Sequence, residues 1–205
     1  KSGKSEFDND GGLININDQS EAGFYAQLNH SFSPDGYYTE GPYYQRYAMS
    51  PFIFFAQALN NVKPELKIFN HKDGILSKAV YALLNLSDGS GQFYPINDAQ
   101  KRMSYKSREL IASVDIVYSL NQSKSLLSVV KDQGIVQLDQ TGLFAAKGVK
   151  ECDLEPFLKP SKVFSDGANG ERGGLTILRT EYEGNDLSCL FKYSAQGMGH
   201  GHFDR

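Results

Sequence analysis

The chain has 205 residues, 40% of them hydrophobic, which is enough to bury one ample core or two modest ones. Its 24 Asp and Glu against 21 Lys and Arg leave a net charge of −3, which excludes the cationic footprint of a nucleic-acid binder. An anionic ligand would have to be met by local cations, and no apolar run is long enough for a transmembrane helix.

The first two-thirds reads as helical. The spacing predicts a short helix over Glu21 to His30 behind the cap candidate Ser20, then a turn at Ser33-Pro34-Asp35-Gly36. Tyr43 to Val62 is the strongest helical segment, and Pro51 inside it predicts a kink or a split. Ile75, Leu76, Ala79, Val80, Leu83 and Leu84 repeat at helical spacing, and Ser87 to Gly91 should end that helix. Leu110 to Leu120, Ser125 to Lys131 and Gln140 to Val149 predict three more.

The pattern changes after Pro156 and Pro160. Lys162 to Phe164, Gly174 to Tyr182 and Leu187 to Tyr193 are short β-rich runs, and Glu183 to Asp186 reads as a hairpin turn. Helices followed by strands predict an α+β chain rather than alternating α/β. The expected division is a helical part, 1–160, and a β part, 161–205. Both ends read as cut, so a fragment of a longer protein is expected. Cys152 and Cys189 form no metal or redox spacing, and a disulfide between them stays open.

Two segments carry chemistry. The first, Asp35-Gly36-Tyr37-Tyr38-Thr39-Glu40-Gly41-Pro42-Tyr43-Tyr44-Gln45-Arg46-Tyr47, packs five tyrosines and an arginine beside a turn and a helix start. On a helix Tyr43 and Tyr47 lie one turn apart, and Tyr44 neighbours Tyr47. Aromatic packing would explain such a cluster. So would a sugar-binding wall with a phenolic proton donor, because an ordinary tyrosine keeps its proton up to about pH 10. Arg46 could grip a carboxylate through its planar fork. The second segment, Lys192-Tyr193-Ser194-Ala195-Gln196-Gly197-Met198-Gly199-His200-Gly201-His202-Phe203-Asp204, places two histidines one residue apart among glycines. By itself it is a weak metal signal, since zinc takes about four ligands. His30 and His71 read as surface or packing histidines.

Together the two segments resemble the heparinase II/III-like lyases, and more narrowly the oligoalginate lyases of polysaccharide lyase family 17. The resemblance is strongest at Gly23 to Ala48, Gly173 to Leu175 and Tyr193 to Asp204. It implies an incomplete α/α toroid followed by the start of an antiparallel β-sheet or sandwich domain. It implies β-elimination on an anionic oligosaccharide, alginate. Matched by motif position, Tyr44 is the catalytic acid and His200 the active-site histidine. Tyr43, Arg46 and Tyr47 bind substrate, and His202 is one ligand of a structural zinc. The base, the other zinc ligands and an Asn-His pair would lie outside this chain. The resemblance also implies a periplasmic or secreted bacterial protein and allows for a homodimer. Competing readings are a glycosaminoglycan lyase, a carbohydrate-binding module without turnover, and a His-x-His metal hydrolase, for which no further ligands appear.

Overall fold

The computed structural model describes residues 23–97 and 99–193. Among these residues it is α+β: six α-helices, then a three-stranded antiparallel sheet. Helix α1 spans Phe24–Ser31 with Gly23 at its N-cap position. The cap expected at Ser20 and the start expected at Glu21 lie outside the described residues.

Helix α2, Pro42–Val62, enters through Gly41 at φ 85°, a backbone that glycine adopts without a Cβ clash, and places Pro42 in its first turn. The kink or split expected at Pro51 is not a split, because the helix runs unbroken for 21 residues. Pro51 lies on the exposed side, so the cost falls on one solvent-side helical bond, the one to the Tyr47 carbonyl. Buried Met49, Phe52, Ile53 and Ala56 hold the helix around it.

Helix α3 spans His71–Asn85, but Lys72, Asp73 and Gly74 are left-handed, so regular turns begin at Ile75. The expected stripe from Ile75 to Leu84 is buried. Helices α4 (Arg108–Asn121), α5 (Lys124–Gln133) and α6 (Gln140–Glu151) follow. Gly134 ends α5 at φ 74°, and Asp139 caps α6 by accepting from the Gly142 amide at 3.0 Å. Leu28, Ile53, Leu76, Leu83, Val114 and Leu126 belong to the one core these helices share.

Strands β1 (Lys162–Ser165), β2 (Gly174–Tyr182) and β3 (Asn185–Lys192) pair in sequence order. The predicted hairpin turn tightens to Glu183-Gly184, at φ 51° and 74°, a pair of left-handed residues that matches strand twist. β3 therefore starts at Asn185, which pairs with Tyr182. The inner face buries Phe164, Leu175 and Ile177 against Tyr37, Ala82 and Leu86. Fully burying a side chain such as Phe164 contributes roughly 1.5–3 kcal/mol, and here that burial fixes the sheet onto α3. Both cysteines are free and exposed.

Candidate active site

The Tyr-rich segment is a rigid loop before it is a helix. Ser33 donates its amide to the Tyr37 carbonyl at 2.8 Å and accepts the Gly36 amide at 2.9 Å, closing the predicted turn. Its Oγ accepts from the Tyr37 amide at 3.1 Å. Gly36, at φ 84°, lies so close to α3 that a Cβ would meet the Lys78 carbonyl carbon at 2.4 Å. Gln45, fully buried on α2, locks the assembly. Its Nε2 donates to the Gly36 carbonyl at 2.8 Å and the Ala79 carbonyl at 3.0 Å, and its Oε1 accepts from the Tyr38 amide at 3.4 Å. One side chain thus ties loop, α2 and α3 together.

The β block clamps the same loop from the other side. Thr39 Oγ1 donates to buried Asp166 at 2.9 Å, and Asp35 accepts from the Ser165 amide at 2.8 Å. Asn97 donates to the Thr39 carbonyl at 2.8 Å and accepts from Lys192 Nζ. Lys192 ends β3 eight residues before His200, so the described chain stops beside the Tyr-rich loop.

On the first turns of α2 the tyrosines form a joined cluster. The Tyr43 ring meets Tyr44 and Tyr47 edge-on, both at 5.4 Å between centroids. The Arg46 guanidinium lies 4.1 Å from the Tyr47 ring centroid and 5.2 Å from that of Tyr43. Arg46 is almost wholly buried, and its Nη1 pairs with Glu109 on α4 at 3.0 Å. Its Nε and Nη2 have no hydrogen-bond partner among the described residues. The expected substrate-gripping arginine is therefore a buried one, with one corner taken and its fork edge unpaired.

Charge and hydrogen bonding divide the phenols. A hydrogen bond from Tyr43, followed by the nearby guanidinium, pulls the Tyr47 pKa below the ordinary tyrosine value. The same Tyr43–Tyr47 hydrogen bond pushes Tyr43 up. Tyr38 is pushed up to about 12 by burial and then by Glu40. Tyr44 is half-buried and Tyr47 is 48% exposed. The arrangement can hold protons on several phenols beside one fixed positive charge, which suits protonation of a leaving oxygen on an anionic ligand.

Four predicted site residues, Tyr43, Tyr44, Arg46 and Tyr47, thus come together on one helix start. His200 and His202 lie outside the described residues. No group of three or more His, Cys, Asp or Glu that could hold a metal occurs among the described residues. His71 is a packing histidine: its Nε2 meets Asn29 Oδ1 at 2.7 Å and its ring meets Tyr25. No helix among the described residues is long and apolar enough to cross a membrane. Sequence reading missed Gln45, Glu109 and Asp166. Gln45 lay inside the motif, and its glutamine on a helix face otherwise lined by buried residues was the available signal. Glu109 and Asp166 gave none, because their partners are distant in sequence.

No family model matches the chain. Two curated proteins do. An exo-oligoalginate lyase of Saccharophagus degradans is 46% identical over 193 residues, covering 94% of this chain and 26% of that protein. The chain is a homologue of that lyase. An alginate lyase of Stenotrophomonas maltophilia is 44% identical over 183 residues, covering 89% of this chain and 24% of that protein. The chain spans about a quarter of the length of these alginate-lyase relatives.

Proposed function

We propose that the protein to which this chain belongs is an oligoalginate lyase of polysaccharide lyase family 17, cleaving alginate oligosaccharides by β-elimination. The observation that carries the reading is the tyrosine cluster built around buried Arg46, in a chain so similar to two named alginate lyases. In the reaction a base removes the C5 proton of a uronate, the C4–O4 bond breaks, and the leaving O4 takes a proton. The electron pair left by the C5 proton becomes the C4–C5 double bond. Tyr44 supplies the proton to O4. Tyr43, Arg46 and Tyr47 bind the sugar, with Arg46 and His200 offsetting the carboxylate charge that would otherwise oppose a C5 carbanion. The base comes from outside this chain.

Zinc, which the resemblance implies, would take His202 as one of about four ligands. We read α1–α6 as part of an incomplete α/α toroid and the sheet as the first layer of a sandwich. The outer sheet face supports the second reading, with Val163, Leu178, Leu187 and Phe191 all about half exposed or more. A lyase acting on an external polymer belongs in the periplasm or outside the cell.

The test is the product. The full-length parent, given alginate oligomers, should release 4,5-unsaturated uronates that absorb in the ultraviolet. New reducing ends without that absorbance would make it a hydrolase and end the proposal. Absorbance from a glycosaminoglycan but not from alginate would keep the mechanism and replace the substrate.

A further inference from the structure

Arg46 combines three features. Its side chain is 5% exposed, its Nη1 is held by Glu109 at 3.0 Å, and its Nε and Nη2 are buried without partners among the described residues. A buried guanidinium with unpaired donors is costly unless something pairs with them. The two unpaired nitrogens are not arbitrary. Nη2 lies trans to Cδ, so its inward N–H runs parallel to Nε–H, and together they make the side-on fork that takes a carboxylate by two parallel hydrogen bonds. Glu109 holds the opposite corner of the same plane.

Glu109 is well placed to hold it. It sits in the first turn of α4, where unpaired backbone amides favour a carboxylate. Its side chain is 24% exposed, so it is stiffened without being sealed. The rings of Tyr43 and Tyr47 lie against the guanidinium and limit its rotation. Tyr47 is the more exposed of the two rings.

We propose that Glu109 is a positioning residue: by holding Nη1 it aims the Nε–Nη2 edge of Arg46 at the carboxylate of a bound uronate. This rests on the lyase reading for the identity of the ligand. Glu109 itself does not touch the sugar. A carboxylate so near an anionic ligand repels it weakly, so if Glu109 only balanced charge, removing it would tighten binding. If it positions, removing or shortening it loosens binding.

Two conservative variants of the full-length parent separate these cases. Glu109→Asp keeps the charge and draws its oxygens back by one methylene. Glu109→Gln loses the charge and keeps an acceptor at the same reach. Positioning predicts that both raise KM for alginate oligomers, Asp by about tenfold or more and Gln by less, with kcat falling alongside because Arg46 also offsets charge that builds at C5. Unchanged melting temperatures would confirm that the fold is intact. KM at the wild-type value in Glu109→Asp, a larger rise in Glu109→Gln than in Glu109→Asp, or loss confined to kcat would each overturn the assignment. Wild-type protein that makes no unsaturated product would sink the lyase reading separately. The Kd of an alginate tetrasaccharide for the same variants, measured by calorimetry, would then decide Glu109 by the same order.

Discussion

Gln45 is the residue on which the geometry of the Tyr-rich loop depends most, and Gln45→Leu is the change that isolates it. Leucine keeps most of the volume, so cavity effects are small and the loss is polar. The Gly36 carbonyl, bonded by Gln45 at 2.8 Å, would be left buried without a partner, which costs about 1–3 kcal/mol. The Ala79 carbonyl sits inside α3 and keeps its helical partner, so its lost bond counts for about 0.5–1.5 kcal/mol. The 3.4 Å contact with the Tyr38 amide adds little. The sum is about 2–4 kcal/mol, all of it local to the loop. Native-state hydrogen exchange reads local opening directly. The Tyr37 amide, which bonds Ser33 Oγ, should exchange roughly 30- to 1,000-fold faster in the variant, at about tenfold per 1.4 kcal/mol. Helices remote from the loop should be unaffected. Exchange at Tyr37 within about threefold of wild type would refute the idea that Gln45 holds the loop.

Three other outcomes follow. Asp115 is fully buried, and desolvation lifts its pKa to about 6, so the folded state keeps a proton that the unfolded state has lost; stability is full below about pH 4 and falls as pH rises through 6. Asp115→Asn should flatten that fall, seen as melting temperatures at pH 5 and pH 8 that differ less than in wild type; an unchanged difference would contradict the cause. Lys72 Nζ donates to the Asn29, Phe32 and Ala168 carbonyls, closing the end of α1 onto the β block, so Lys72→Met should cost about 1.5–3 kcal/mol in denaturant titration. In the parent, His202→Ala should lower zinc content and melting temperature, whereas His200→Ala should keep both and lose turnover; equal zinc loss in both would end that division of labour.

Much of the fold was legible because it rests on local periodicity. The α3 stripe, the Ser33–Gly36 turn and the extent of β2 follow from spacing and turn residues alone. The Tyr43–Tyr47 contact follows from one helical turn. Pro51 produced no split, because packing at Met49, Phe52 and Ile53 and exposure of the proline itself left the helix continuous. The first residues of α3 were also opaque, because left-handed Lys72 and Asp73 are held by tertiary contacts such as Lys72 Nζ on three carbonyls rather than by preference. In the candidate site the tyrosines and Arg46 announced themselves by clustering. What fixes them did not: Glu109 is 63 residues from Arg46, and Asp166 is 127 from Thr39. Such separations leave no local pattern, and a lone Glu or Asp at a helix start or strand end reads as solvated.

The central claim is that a phenol in this cluster, Tyr44, gives the proton to the leaving oxygen. Tyr44→Phe in the full-length parent deletes one hydroxyl and keeps the ring that meets Tyr43. The measurement is the rate of unsaturated uronate formation from alginate oligomers, together with their Kd. The account predicts a fall in kcat of about 100- to 10,000-fold, the usual range for a lost general acid, with Kd within about threefold. Near-wild-type turnover in Tyr44→Phe, alongside an inactive Tyr43→Phe or Tyr47→Phe, would contradict it.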